Sequence, residues 1–552
     1  MKTFCCLFLA FLLFSCQQTQ EEKETAKAPV WKPYNQAEQI AGNSENESVR
    51  LRFKLIQSKV SDRNALLQTA FSQLDGFSET DYKALKSLIL EQDIPTIQSN
   101  IKSGKLNYEN LTKWYLYRIV KFESDSLKSL NNLISINPKA VEEAKNRDKK
   151  KSDVNHPIFG MPILLKDNVN TKGMKTTAGA VALQNNQTSD AFIVERVKAK
   201  GGIILGKANL SEWANFLCQA CPNGYSAVGG QTLNPYGARK IDTGGSSAGS
   251  GSVIAANYAV AAVGTETAGS ILSPASQNSV VGLKPTVGLL SRGGIVPISG
   301  TLDTPGPMTR NVIDNAILLS ALSGTDPKDL ASKNNPTDKN YLVGLEEASL
   351  EGIRFGVNKN HLEDSIYKAT VAKIAELGGI GIEFQPEEMN FEGFLTLLNA
   401  DMHKDLPSYL KNYASPKVEF KTVAEIIAFN KQDTSIRIPY GQARFDGVVA
   451  DSTSEEDLAT LINRLKADGK AFFDKPMADN ELDFVLSINN WDAAQAAVAK
   501  YPALTIPMGY RTTGEPVGLT LIAKPFEEDK LLRIGYAFEK GTKSRKMPEG
   551  YK

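Results

Sequence analysis

The stretch from Asp242 to Pro285 constrains the fold more tightly than any other part of the chain. Gly244-Gly245-Ser246-Ser247-Ala248-Gly249-Ser250-Gly251-Ser252 has too little side chain to build a core by itself. Its glycines let the backbone turn sharply and come close to a neighbour. The apolar run Val253–Ala262 follows at once and is fit for burial, so a free linker is a poor description. A second turn of the same texture comes at Gly264-Thr265-Glu266-Thr267-Ala268-Gly269-Ser270. A phosphate cradle would need the Gly-Lys-Ser/Thr ending of a P-loop, which is missing. Two serine-bearing turns with a lysine upstream point instead to an activated nucleophile. A hydroxyl is inert near neutral pH and needs a base. The chain has 3 histidines, His156, His361 and His403, and none adjoins these turns. A lysine can serve if burial among apolar groups keeps it neutral. Lys166, directly after Ile163-Leu164-Leu165, is placed for such burial, although a lysine taken alone is more often a surface or salt-bridged residue.

The surrounding texture alternates. Met161–Leu165 reads as a strand running into Lys166-Asp167-Asn168. Asp190 is placed to cap a helix that runs to Lys200; Gly201 ends it, and Ile203–Leu205 follows as a strand. Phe484–Ile488, Ala503–Pro507 and Gly518–Ile522 also read as strands, and Asp529–Gly541 as a closing helix. Helix alternating with strand predicts an α/β fold, with a large sheet covered by helices on both faces. Residues 46–150 read as an N-terminal helical region, with Leu111, Tyr115 and Ile119 at helical spacing after the polar start Asn107. Residues 151–325 form the catalytic core, 326–440 a more polar insertion or lid, and 441–552 the C-terminal part of the catalytic domain. No internal repeat is visible.

The N-terminus gives an address. Lys2 precedes an apolar run from Phe4 to Phe14, then Ser15-Cys16 and a polar stretch. Such a run rises only ~16 Å as helix, about half a bilayer core, and so reads as a signal segment rather than a span. Residues 1–15 are expected to be a signal peptide. Leu13-Phe14-Ser15-Cys16 resembles the bacterial lipobox, which implies lipidation at Cys16, export, and anchoring to a membrane on the periplasmic or cell-surface side. An ordinary cleaved signal peptide is the alternative. Residues 16–45 then form a polar tether with little to bury.

Composition excludes other classes. Lys+Arg 63 against Asp+Glu 62 leaves a formal charge of +1, so no basic field exists for a nucleic acid. The basic run Lys149-Lys150-Lys151, flanked by Asp148 and Asp153, reads as a solvated helix end. Of the 5 cysteines, Cys218 and Cys221 lie outside the signal segment. A lone C-x-x-C without a second pair or nearby histidines argues for a local disulfide or two thiols, and against a metal site. No cofactor and no obligate protein partner is expected.

Several motifs, in order, resemble the amidase signature family. Gly-Gly-Ser-Ser-Ala-Gly-Ser is followed by Gly-Thr-Glu-Thr-Ala-Gly-Ser-Ile, with Ser246 and Ser270 24 residues apart, which is the family's spacing. Met161-Pro-Ile-Leu-Leu-Lys166-Asp-Asn resembles the segment that carries the family's lysine. Ala208-Asn-Leu-Ser-Glu-Trp-Ala-Asn, Val281-Gly-Leu-Lys-Pro-Thr-Val-Gly-Leu, Asp303-Thr-Pro-Gly-Pro-Met and Pro502-Ala-Leu-Thr-Ile-Pro-Met extend the similarity over about residues 100–545.

The resemblance implies a relay. Neutral Lys166 takes a proton from Ser246, held after a cis peptide bond; Ser246 takes the proton of Ser270, and Ser270 attacks a carboxamide. Thr267, Ala268, Gly269 and Ser270 would offer backbone N–H groups as the oxyanion hole. Hydrolysis of the acyl-enzyme would then release the carboxylate, after ammonia or an amine. Thr-Glu-Thr at 265–267 is similar to the peptide-amidase-like branch, while Ala268 stands where that branch often carries an acidic residue. Leu272 stands where glutamine-using amidotransferase A subunits carry an arginine, which argues against glutamine. Arg292 and Asp303 fit family segments and read as structural.

Two other functions stay open at this point. Gly245-Ser246-Ser247-Ala248-Gly249 also matches the G-x-S-x-G elbow, with Ser247 as nucleophile and His361 or His403 as base. That elbow needs a strand directly before it, and residues 234–242 look turn-like. The second is a catalytically inactive, lipid-anchored binding protein. Against it, all three triad positions are filled.

Overall fold

The computed structural model describes residues 28–150, 155–333, 336 and 339–552. The expected signal peptide and Cys16 lie outside the described residues. Among the described residues no helix is long and apolar enough to cross a membrane.

Thirteen strands are present among the described residues: β1 (Leu133–Ile136), β2 (Pro162–Lys166), β3 (Ile203–Ala208), β4 (Tyr225–Ser226), β5 (Gly230–Gln231), β6 (Ala261–Glu266), β7 (Val281–Lys284), β8 (Thr304–Thr309), β9 (Arg354–Asn358), β10 (Ile380–Phe384), β11 (Phe484–Ile488), β12 (Ala503–Tyr510) and β13 (Pro516–Ile522). Eleven form one mixed sheet in the order β1-β3-β2-β6-β8-β7-β12-β13-β11-β9-β10, and β4 and β5 form a small ladder of their own. β2 lies parallel to both β3 and β6, whereas β6 and β8 are antiparallel. Every residue of β2, β3, β6, β7 and β8 is buried, as strands covered on both faces require.

The helical N-terminal region is docked onto this core. The helix Tyr108–Glu123 starts where Asn107 caps it, and it buries Trp114 and Arg118. Arg118 donates to the Ala256 carbonyl (2.9 Å), the Tyr82 hydroxyl (2.6 Å) and the Tyr551 carbonyl. One guanidinium therefore ties the N-terminal helices and the C-terminus to the helix that follows Ser247.

Three expectations need correction. β1 interrupts the region read as helical; four residues on a sheet edge are too few for a visible alternation. The stretch 326–440 is not all insertion, because β9, the helix Ser365–Glu376 and β10 form a unit that extends the sheet. The helices from Phe394 to Ala450 and the first half of Glu455–Asp479 pack instead a separate cluster around Met402, Leu406 and Phe445, while Phe472, Phe473 and Met477 of the second half pack on the sheet. Asp190 does not cap the helix Phe192–Ala199, whose N-cap is Ala191. Its carboxylate instead accepts from Lys172 N–H (2.7 Å), Thr171 Oγ1 (3.0 Å) and Lys198 Nζ (2.8 Å).

Candidate active site

The site forms where β2 and β6 end side by side. Leu165 pairs with Val263 across the parallel ladder, so Lys166 emerges next to Thr265. Lys166 is fully buried. Its Nζ lies 2.8 Å from Ser246 Oγ, 2.8 Å from Thr265 Oγ1 and 3.0 Å from the Thr265 carbonyl. Among the described residues no carboxylate forms an ion pair with it. Burial lowers its pKa to about 7, while the more distant Asp303 and Glu266 carboxylates pull in the opposite direction.

Ser246 is buried, and its peptide bond to Gly245 is cis. Its carbonyl accepts from Ser211 N–H at 3.0 Å. Gly244 adopts φ +67°, and a Cβ there would stand 2.7 Å from the Pro274 backbone, so only glycine lets this turn meet the start of the helix Leu272–Gln277. Ser247 N–H donates to the Ser270 carbonyl at 3.2 Å. The two serine turns are therefore packed together. Ser270 is half-buried.

Glu266 organises the second turn. Its buried carboxylate accepts from Gly269 N–H (2.7 Å), Ile271 N–H (2.7 Å) and Leu272 N–H (3.0 Å). This corrects one expected oxyanion-hole donor: the Gly269 N–H is committed to Glu266. The expected set narrows to Thr267, Ala268 and Ser270. The Thr-Glu-Thr form drew attention to residues 265–267, but only the fold shows the Glu266 oxygens turned back onto the chain three to six residues ahead. Gly269 keeps a conformational role at φ +91°, where a Cβ would meet the Asn490 side chain at 2.9 Å.

Ser247 is not placed as a nucleophile. Its buried hydroxyl accepts from Thr265 N–H (3.2 Å) and donates to the Thr265 carbonyl (3.0 Å). No strand stands between Gln231 and the helix Ala248–Ala255, so the elbow lacks its strand. The histidines are engaged elsewhere: His361 Nε2 lies 3.0 Å from Asp492 Oδ2, and His403 Nδ1 lies 3.0 Å from the Val448 carbonyl. Cys218 and Cys221 are joined as a disulfide.

Beside the lysine, a cavity of about 880 Å³ is lined by Thr265, Thr267, Arg292, Asp303 and Tyr409, among others. Asp303, read from sequence as structural, accepts from Ile298 N–H (2.8 Å), Ser299 N–H (3.0 Å) and Thr267 Oγ1 (2.5 Å), and burial raises its pKa. Arg292 Nε and Nη2 donate to Asp329 at 3.0 and 2.6 Å. Both residues brace the cavity wall as well as lining it. Sequence reasoning missed Thr265 as a partner of the lysine; its place one residue before Glu266, in the turn that carries Ser270, is the signal that could have found it.

The family model described as Amidase matches residues 111–442. A probable amidase of Arabidopsis thaliana is 35% identical over 480 residues, covering 84% of this chain and 92% of the relative. An amidase family protein from Bacillus anthracis superposes with a TM-score of 0.85 at 36% identity, over 90% of this chain and 100% of its own. The peptide amidase of Stenotrophomonas maltophilia gives a TM-score of 0.79 at 34% identity, over 83% and 99% of the two chains.

Proposed function

This chain belongs to the amidase family of carbon–nitrogen hydrolases, and on that premise we propose that it cleaves a linear carboxamide through Lys166, Ser246 and Ser270 with an acyl-enzyme intermediate. The observation that carries the reading is a buried lysine, without an ion-pair partner among the described residues, held 2.8 Å from a serine hydroxyl. A neutral amine has two hydrogens and one lone pair. Thr265 offers a carbonyl and a hydroxyl as acceptors for the two hydrogens, which leaves the lone pair for the Ser246 proton. Ser246, its proton drawn toward Lys166, then takes that of Ser270 as Ser270 attacks the amide carbon. The N–H groups of Thr267, Ala268 and Ser270 would receive the charge that develops on the carbonyl oxygen. Return of the proton through Ser246 to the leaving nitrogen expels ammonia or an amine. Water then attacks the ester, and the carboxylate leaves.

The substrate class is a small-molecule or peptide amide. Leu272 is buried in an apolar cluster and supplies no cation for a free substrate carboxylate, which disfavours glutamine. A fluorophosphonate should label one serine, mapped to Ser270, and Ser270→Ala should lose label and amide turnover together. Label on Ser247, with Ser270→Ala still active, would overturn the relay. Export and a lipid anchor at Cys16 complete the proposal. Wild-type protein should take up a fatty-acid label that Cys16→Ala reduces to background, and unchanged labelling would remove the anchor.

A further inference from the structure

The turn that carries Ser246 leans on a loop that the relay itself does not use. Asn223 Nδ2 donates to both oxygens of Asp242, at 2.9 and 3.2 Å, and Asp242 Oδ1 accepts from Gly244 N–H at 2.8 Å. Asn223 Oδ1 accepts from Asn215 Nδ2 at 3.1 Å. Gly245, the residue before Ser246, packs directly on this pair: a Cβ there would stand 2.8 Å from Asn223 Oδ1 and 3.0 Å from Asn215 Nδ2. Asn223 thus meets the turn at two successive residues, Gly244 through Asp242 and Gly245 by contact. Its neighbour Gly224 adds a second route. Gly224 N–H donates to Ser211 Oγ at 2.7 Å, and Ser211 N–H holds the Ser246 carbonyl at 3.0 Å.

Residues 216–222 join Asn215 to Asn223, and they carry the chain's C-x-x-C. Cys218 is buried, Gln219 and Ala220 are exposed, and Cys221 is half-buried, so the bridge lies at a solvent-facing tip. Arg444 N–H holds the Leu217 carbonyl at 3.1 Å, and Arg50 Nη1 holds the Cys221 carbonyl at 2.6 Å. Each anchor fixes a single carbonyl. Among the described residues no backbone–backbone hydrogen bond closes 218–222, so the Cys218–Cys221 disulfide fixes the span between the anchors. Opening it returns torsional freedom to a segment that ends two residues before Asn223. Sulfurs beside exposed residues are also within reach of an external thiol.

We propose that Asn223 is a positioning residue for Ser246 and that the Cys218–Cys221 disulfide holds it in place, so that the relay runs at full rate only in the oxidised protein. This deepens, and rests on, the amidase reading above. A dithiol reverses it by giving two electrons and two protons to the S–S bond, which leaves two thiols while the dithiol closes to its own disulfide. Fluorophosphonate labelling at Ser270 tests it without a known substrate: its rate reads the relay, and its end point counts competent sites. Wild type treated with dithiothreitol should label roughly tenfold more slowly to the same end point, the scale of a small misplacement of a reacting group, and should recover on reoxidation. Cys218→Ser/Cys221→Ser should match the reduced protein and ignore the reductant. Asn223→Ala should be as slow when oxidised and little slower when reduced, because both changes remove one restraint. A bridge that only adds stability would lower the unfolding temperature and the end point while leaving the rate per site unchanged. That result overturns the proposal, and so do losses from Asn223→Ala and reduction that multiply. Should Asn223→Ala fail to fold, the reduced wild type and the double serine variant decide alone. An oxidised wild type that labels at Ser270 and is indifferent to dithiothreitol strikes only the positioning claim; one that never labels there strikes the amidase relay, and the proposal with it.

Discussion

The ends of β2 and β3 each bury a lysine completely, and they surround it differently. The strands run parallel, with Leu165 opposite Lys207 and Lys166 opposite Ala208, so the two lysines leave neighbouring strands one residue apart in register. Lys207 Nζ meets Asp167 Oδ1 at 3.1 Å and donates to the Val169 carbonyl (2.7 Å) and Thr176 Oγ1 (2.9 Å). Asp167 in turn accepts from Thr177 N–H at 3.0 Å, which closes a buried polar knot behind the site. Lys166 meets hydroxyls and a carbonyl instead. Burial lowers the pKa of both; the adjacent Asp167 charge opposes it at Lys207, and the more distant Asp303 and Glu266 oppose it at Lys166, whose pKa falls to about 7. On the proposed reading, Lys166 is the base because no carboxylate touches it, whereas the contact with Asp167 gives Lys207 a structural place.

The largest effect should come from removing the base. Lys166→Met should lower kcat/KM by ~10³ or more, with circular dichroism unchanged. In the wild type, activity should rise as pH goes up through about 7, because only the neutral amine accepts a proton and its share grows with pH. That acid limb should vanish in the variant. If it survives there, the base lies elsewhere.

Lys207→Met should act on stability first. It leaves Asp167 buried and unpaired, a loss of about 3–5 kcal/mol in denaturant unfolding. The acid limb of the remaining activity should stay where it was. A limb that moves or disappears would mean that the two lysines share one function.

Asp303→Asn sharpens the contrast from outside. The Asp303 charge favours protonated Lys166, so its removal should carry the acid limb to lower pH. A limb shifted upward would overturn that assignment. The smallest effect is expected at Ser247→Ala, which gives up the bonds to Thr265 for about 1 kcal/mol and should still be labelled at Ser270. Loss of label in this variant would return Ser247 to the list of nucleophiles.

The sequence by itself determined the local chemistry. Glycines at 244 and 269 permit the two turns, apolar residues before Lys166 secure its burial, and the texture around them requires strands covered on both faces. These are short-range matters, settled by backbone freedom and by which side chains tolerate water. Only the tertiary structure decided the partners. Lys166 and Ser246 are 80 residues apart, and the pairing of β2 with β6 brings them within 2.8 Å. Nothing local told Lys166 from Lys207, because the carboxylate that separates their roles reaches only one of them across the strand ends. Glu266 likewise captures the Gly269 N–H, and β1, β9 and β10 join the sheet at its edges, through contacts that exist only once the sheet is assembled. Sheet order and hydrogen-bond partners are non-local, so they follow from the packing of the whole chain rather than from any window of it.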